Sequence, residues 1–179
     1  MIRKKQLLIC IFIALLSVNG FTQEILQKKI NKSFGSFMIP NNFTESKKFS
    51  TPSKYFYVKN SDEELAFPNN ISINEGKNRY SIGENIQFRE AILRQLLMQT
   101  KDSGAEVTGA GTYTDKNNLL YIFTISEGEY VTTQYYIVGD YKFILLQETV
   151  KGKSKETDET TKMMVNSFTW PIEKSNKYW

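Results

Sequence analysis

The chain has no histidine, a single cysteine and four prolines among its 179 residues. The cysteine, Cys10, lies in an apolar N-terminal segment. Without that segment the remainder contains neither Cys nor His. A structural disulfide, a thiol nucleophile, a Cys/His zinc site and histidine acid–base catalysis are then excluded. Excess charge is also scarce. The formal +4 includes Arg3, Lys4 and Lys5, and without them 20 basic residues face 19 acidic ones. The basic pI is therefore a property of the N-terminus and does not point to a nucleic-acid partner.

What is present at the N-terminus has the form of a secretory signal. Arg3-Lys4-Lys5 is the positive region, Leu7 to Leu16 an apolar run, and Ser17-Val18-Asn19-Gly20 offers small residues for cleavage. The run is short of the roughly twenty residues that span a bilayer. Cleavage is expected after Gly20, with a site before Gln23 as the alternative. Cys10 lacks the small residue before it that lipidation would want. An exported, periplasmic or secreted protein follows, with no membrane span after cleavage.

The expected organisation is a signal peptide over residues 1–20, a flexible lead-in over 21–33, one domain over 34–170 and a tail over 171–179. Ser81-Ile82-Gly83-Glu84 has the Ser-x-x-Glu form of a capping box. Phe88, Ile92 and Leu96 then recur at helical spacing, joined by Ala91, Leu93 and Leu97, and Gly104 follows as a stop. A meander comes next. The stretch from Thr108 to Thr114 is interrupted by Gly109 and Gly111, suggesting a bulge. Leu119–Ser126, Tyr130–Val138 and Tyr141–Val150 alternate as strands, with turns at Glu127-Gly128-Glu129 and Gly139-Asp140. A last helix starting near Ser154 or Thr157 ends at Ser167, with Met163, Met164 and Phe168 apolar. The fold class is α+β: an antiparallel sheet with a long helix and a C-terminal helix packed on it.

In that arrangement the chain resembles the PsbP/Mog1-like superfamily. The resemblance rests on FGSFMIPNNF (Phe34 to Phe43), Ile71-Ser72-Ile73 before the long helix, Tyr135-Tyr136-Ile137-Val138-Gly139-Asp140 in the meander and Val165-Asn166-Ser167-Phe168 in the closing helix. It covers roughly residues 34 to 170 and contains no catalytic motif. It implies a non-enzymatic binding part and assigns no individual residue.

The candidate chemistries are each outweighed by simpler structural roles. Three Ser–Lys neighbours, Ser46-Lys47, Ser53-Lys54 and Ser154-Lys155, carry the letters of a histidine-free hydrolase but fall in polar loops or at a helix start. The acidic clusters Asp62-Glu63-Glu64, Glu127/Glu129 and Glu156/Asp158/Glu159 fall at turns or helix starts, where acids serve structure. Asp115, Asn117 and Asn118 are half a calcium loop without its Gly and distal Glu. Gly109-Ala110-Gly111 lacks the rest of a phosphate cradle. No catalytic residue, metal site or cofactor is expected. Asn31, Asn42 and Asn70 open glycosylation triplets, which have meaning only in a eukaryotic source. Trp179, after Tyr178, is expected to be a frayed end rather than a docked aromatic.

Binding has one handle. On the strand from Tyr130 to Val138, alternation places Val131, Thr133, Tyr135 and Ile137 on the side expected to face the helices. Tyr130, Thr132, Gln134 and Tyr136 form the other set, a mixture of tyrosine and hydrogen-bonding groups that suits a protein interface. A solvated face with cross-strand Tyr/Thr pairs is the simpler reading of this set, and contact with a protein partner is the functional one. The function expected is an exported binding module or envelope accessory. The alternatives are a periplasmic immunity protein that neutralises a delivered toxin, and a histidine-free hydrolase.

Overall fold

The computed structural model describes residues 26–114 and 118–171, with residues 113 and 114 described by their backbone only. The export segment, Asp115, Asn117 and Trp179 lie outside the described residues. The elements run β1 (Gln27–Lys32), β2 (Gly35–Pro40), β3 (Phe43–Glu45), β4 (Tyr55–Lys59), β5 (Asn70–Lys77), α1 (Asn85–Thr100), β6 (Glu106–Thr114), β7 (Leu119–Glu127), β8 (Tyr130–Gly139), β9 (Lys142–Lys151) and α2 (Lys155–Ser167). Strands β3 to β9 form a seven-stranded antiparallel sheet in the order β3-β4-β5-β9-β8-β7-β6. The hairpin β1-β2 stands apart as a second, two-stranded sheet. The class is α+β.

Local chemistry accounts for the connections. The Glu84 carboxylate accepts from the Ser81 backbone N–H at 3.0 Å in the expected capping box, at the head of a short 3₁₀ turn that leads into α1. Gly128 adopts φ +57 in the two-residue turn between β7 and β8. The β8–β9 turn lies one residue beyond the expected pair, at Asp140-Tyr141, and Tyr141 carries φ +55. That conformation is unfavourable for a side chain. It is held because Tyr141 N–H donates to Tyr80 O and Tyr141 O accepts from Asn78 N–H, each at 3.0 Å. The Ile82 N–H also donates to the Asp140 carboxylate at 3.0 Å, so the hairpin tip fixes the start of α1. The register of β6 on β7 shifts between Val107 and Gly109, a bulge where the glycine spacing suggested one.

Three expectations need correction. Residues 27–32 are not a loose lead-in: β1 pairs with β2 from Gln27↔Pro40 to Lys32↔Gly35. The polar sequence QKKINK forms a strand because its backbone bonds are satisfied by the partner strand while its side chains stay largely exposed. The second correction concerns the helices, which lie on opposite faces of the sheet rather than together. α2 packs with Phe37, Ile71, Tyr135, Ile137 and Leu146, whereas Phe88 and Leu96 of α1 pack with Tyr121, Phe123, Tyr136 and Val138. Strand alternation separates the two faces correctly but does not say what covers each. Finally, the expected apolar stripe of α1 is narrower than its letters. Phe88 and Leu96 are buried, whereas Leu97 is exposed.

Candidate functional site

The sheet face that carries α1 is covered over only part of its length. At the covered end Phe88 makes an edge contact with Tyr136 at 5.9 Å between ring centroids and a tilted one with Phe143 at 5.4 Å. Tyr136 also meets Phe123 at 5.9 Å and Phe143 at 5.4 Å. Phe143 lies over Gly76, where a Cβ would come within 2.2 Å of the ring. A residue with any side chain there would displace the ring.

Beyond Tyr136 the same face turns polar. Register pairing sets Gln134 opposite Gln147 and Thr132 opposite Thr149, with Thr149 in turn opposite Asn70. These side chains form one hydrogen-bonded ladder. The Tyr136 hydroxyl donates to Gln134 Oε1 at 3.0 Å, Gln134 Nε2 to Gln147 Oε1 at 3.3 Å, and Gln147 Nε2 to Thr149 Oγ1 at 3.4 Å. The Thr149 and Thr132 hydroxyls meet at 3.3 Å. Each glutamine amide has two N–H donors and spends one in the ladder. The ladder is partly buried, and burial pushes the Tyr136 phenol up to about 12.

The four residues singled out from alternation therefore divide. Thr132 and Gln134 sit in the ladder, half-buried, where a partner could reach them. Tyr136 is corrected: its ring is 6 % exposed beneath α1 and it reaches the ladder only through its hydroxyl. Tyr130, 36 % exposed, leaves the ladder and lines a pocket of about 290 Å³ with Phe49, Phe56, Phe67, Asn70 and Thr149. Phe49 and Phe56 are 6.4 Å apart, and Phe67 is 83 % exposed. The pocket is assembled from the loops before β4 and β5 together with Phe56 of β4, Asn70 of β5, Tyr130 of β8 and Thr149 of β9, so no local pattern announces it.

The opposite face holds a group that the sequence reading missed. Glu148 continues the inward alternation Ile144, Leu146, Glu148, Val150 and is 5 % exposed. It lines a cleft of about 360 Å³ beside the start of α2, with Asp158, Thr133 and Lys155. Burial, with repulsion from Asp158, raises its carboxyl to about 7, against smaller opposing effects from the Thr161 hydroxyl and Lys162. The signal was available: an acid at a core-facing position of a strand.

The other candidates find structural roles. Ser46 is buried with its hydroxyl unpaired, Ser53 approaches the Thr51 hydroxyl at 3.4 Å, and Ser154 caps α2 by accepting from Thr157 N–H. None of these contacts is to a lysine. Glu129 pairs with Lys151, Glu156 with Lys59 and Asp158 with Lys162, each at 2.8 Å. Gly109-Ala110-Gly111 lies within strand β6. Among the described residues no group of three metal-ligating side chains occurs, and no helix is long and apolar enough to cross a membrane.

The solution structure of cyanobacterial PsbP (CyanoP) from Synechocystis sp. PCC 6803 superposes with a TM-score of 0.57, covering 85% of this chain and 96% of its own at 11% identity. The chain has a PsbP-like fold. A crystal structure from Bacteroides thetaiotaomicron is similar at a TM-score of 0.46 and 13% identity, covering 82% of this chain and 49% of its own. No protein-family model and no curated protein matches the sequence. The PsbP-like likeness concerns the backbone, and function has to be argued from the surface.

Proposed function

We propose that this chain is an exported, non-enzymatic binding module that holds a protein partner against the uncovered half of its sheet face. The ladder from Tyr136 through Gln134 and Gln147 to Thr149 carries this reading. It keeps a set of amides and hydroxyls rigid and half-buried while leaving one N–H of each glutamine unspent. Rigid polar groups beside exposed aromatics lose little entropy on binding and supply both area and direction. The signal-like N-terminus supports export. The PsbP-like fold, by analogy, supports a binding role over a catalytic one.

The test is capture by the tagged full chain from envelope and secreted fractions, read by mass spectrometry beside the Thr132→Arg variant. One stoichiometric partner held by the wild type and lost by the variant supports the reading. Equal retention by both, or no partner at all, contradicts it. The immunity-protein alternative uses the same face, and the identity of the partner separates the two: a toxin domain favours immunity.

A further inference from the structure

We propose that the pocket between Phe49, Phe56, Phe67 and Tyr130 binds a small aromatic anion, with the ring among these side chains and the charge toward Lys48 and Lys54. The proposal goes beyond the partner reading and does not rest on it.

Size, walls and charge carry the argument. A volume of about 290 Å³ equals roughly ten molecules of liquid water, near the lower end for small-molecule sites. Its walls are aromatic, and Asn70 and Thr149 add polar groups. Phe67 stands 83 % exposed on its rim, apolar surface that a bound ring would remove from water.

Charge selects the class of ligand. A cluster of aromatic rings alone would suit a quaternary ammonium. Here two of the rings already carry cations: Lys48 Nζ lies 5.1 Å from the Phe49 centroid and Lys54 Nζ 5.0 Å from that of Phe56. Among the described residues, neither lysine forms an ion pair with a carboxylate. Lys54 is only partly exposed, and burial holds its ammonium below the ordinary lysine range. Two cations held against these rings disfavour a third beside them, whereas the opposite charge of a carboxylate or sulfonate would compensate the desolvation of Lys54. The ring quadrupoles leave the apolar interior free for offset or edge contacts with a ligand ring.

The probe is 2-naphthoate, titrated calorimetrically into the full chain beside its neutral isostere 2-naphthamide and benzyltrimethylammonium. Naphthoate is expected to bind at least fivefold more tightly than the amide, and its affinity to fall as salt is raised. Lys54→Gln should lower that ratio, and Lys48→Gln with Lys54→Gln should bring it close to one, while amide binding persists. Phe67→Ala, at an exposed position that the fold does not need, should weaken both ligands at least threefold. A smaller acid-to-amide ratio in the wild type, tighter binding of the ammonium, an unchanged ratio in Lys54→Gln, unchanged affinities in Phe67→Ala, or no saturable binding overturns the proposal. The partner capture is measured without the probe, so either idea can fail while the other stands.

Discussion

The two faces of the seven-stranded sheet are finished differently. The face toward α2 is closed by that helix and by the β1-β2 hairpin. Phe37, Ile39, Ile71, Ile144, Leu146 and Met164 there are all at most 1 % exposed. The face toward α1 is closed only around Phe88 and then gives way to hydrogen-bonded glutamines, threonines and an aromatic pocket. α1 packs on Tyr121, Phe123, Tyr136 and Val138 and leaves Thr132, Gln134, Gln147 and Thr149, farther along β8 and β9, half-buried. The lesson is that a shared backbone frame can hold one face for stability and release half of the other for contact.

That comparison can be broken most strongly at its closed half. Phe88→Ala, at 2 % exposure, should lower stability by about 3–5 kcal/mol, since Tyr80, Tyr136 and Phe143 lose a common partner. Denaturant unfolding measures this, and a loss under 1 kcal/mol would mean that α1 does not close the face as described.

Glu148 sharpens the comparison from the other side, as a buried acid on the closed face. Its folded pKa of about 7 lies above the ordinary 4.5, so between those values the folded state binds the proton more tightly. Its contribution is complete below pH 4.5, declines as pH rises, and is gone once pH passes 7. The stability of the wild type relative to Glu148→Gln should therefore fall by up to about 3 kcal/mol across that window. A constant difference between the two would show that the carboxyl is not desolvated.

Gly76→Ala should be next in size, about 1–3 kcal/mol, because the new Cβ meets the Phe143 ring. The open half should be the most tolerant. Thr132→Arg is expected to change unfolding free energy by at most about 1 kcal/mol, because it removes a single hydroxyl contact at 3.3 Å from a half-buried position. Thermal unfolding followed by circular dichroism compares both with the wild type.

Much of this architecture was readable from the residues. Ser81 and Glu84 marked the start of the long helix, Gly109 the bulge, and Ser154 the cap of the last helix. These are local signals, set by backbone geometry within a few residues. The strand at Gln27–Lys32 was not legible, since its stability comes from β2 and not from its own polar side chains. Nor was the placement of the helices: Tyr135 and Tyr136 point to opposite faces and both are buried, an arrangement no single strand reveals. Thr132 and Gln134 could be found by alternation, but Gln147 and Thr149 needed the register of β8 on β9. Phe49 and Phe67 are brought to Tyr130 by folded loops, and Phe56 by the pairing of β4 on β5.

The account's central claim is that the uncovered half-face makes the contact. The most direct test compares partner capture by Thr132→Arg, on that half-face, with capture by Gln87→Arg, at an exposed position of α1. The account predicts that Thr132→Arg loses the partner and Gln87→Arg keeps it. Retention by Thr132→Arg together with loss by Gln87→Arg would move the contact to the helix and contradict it.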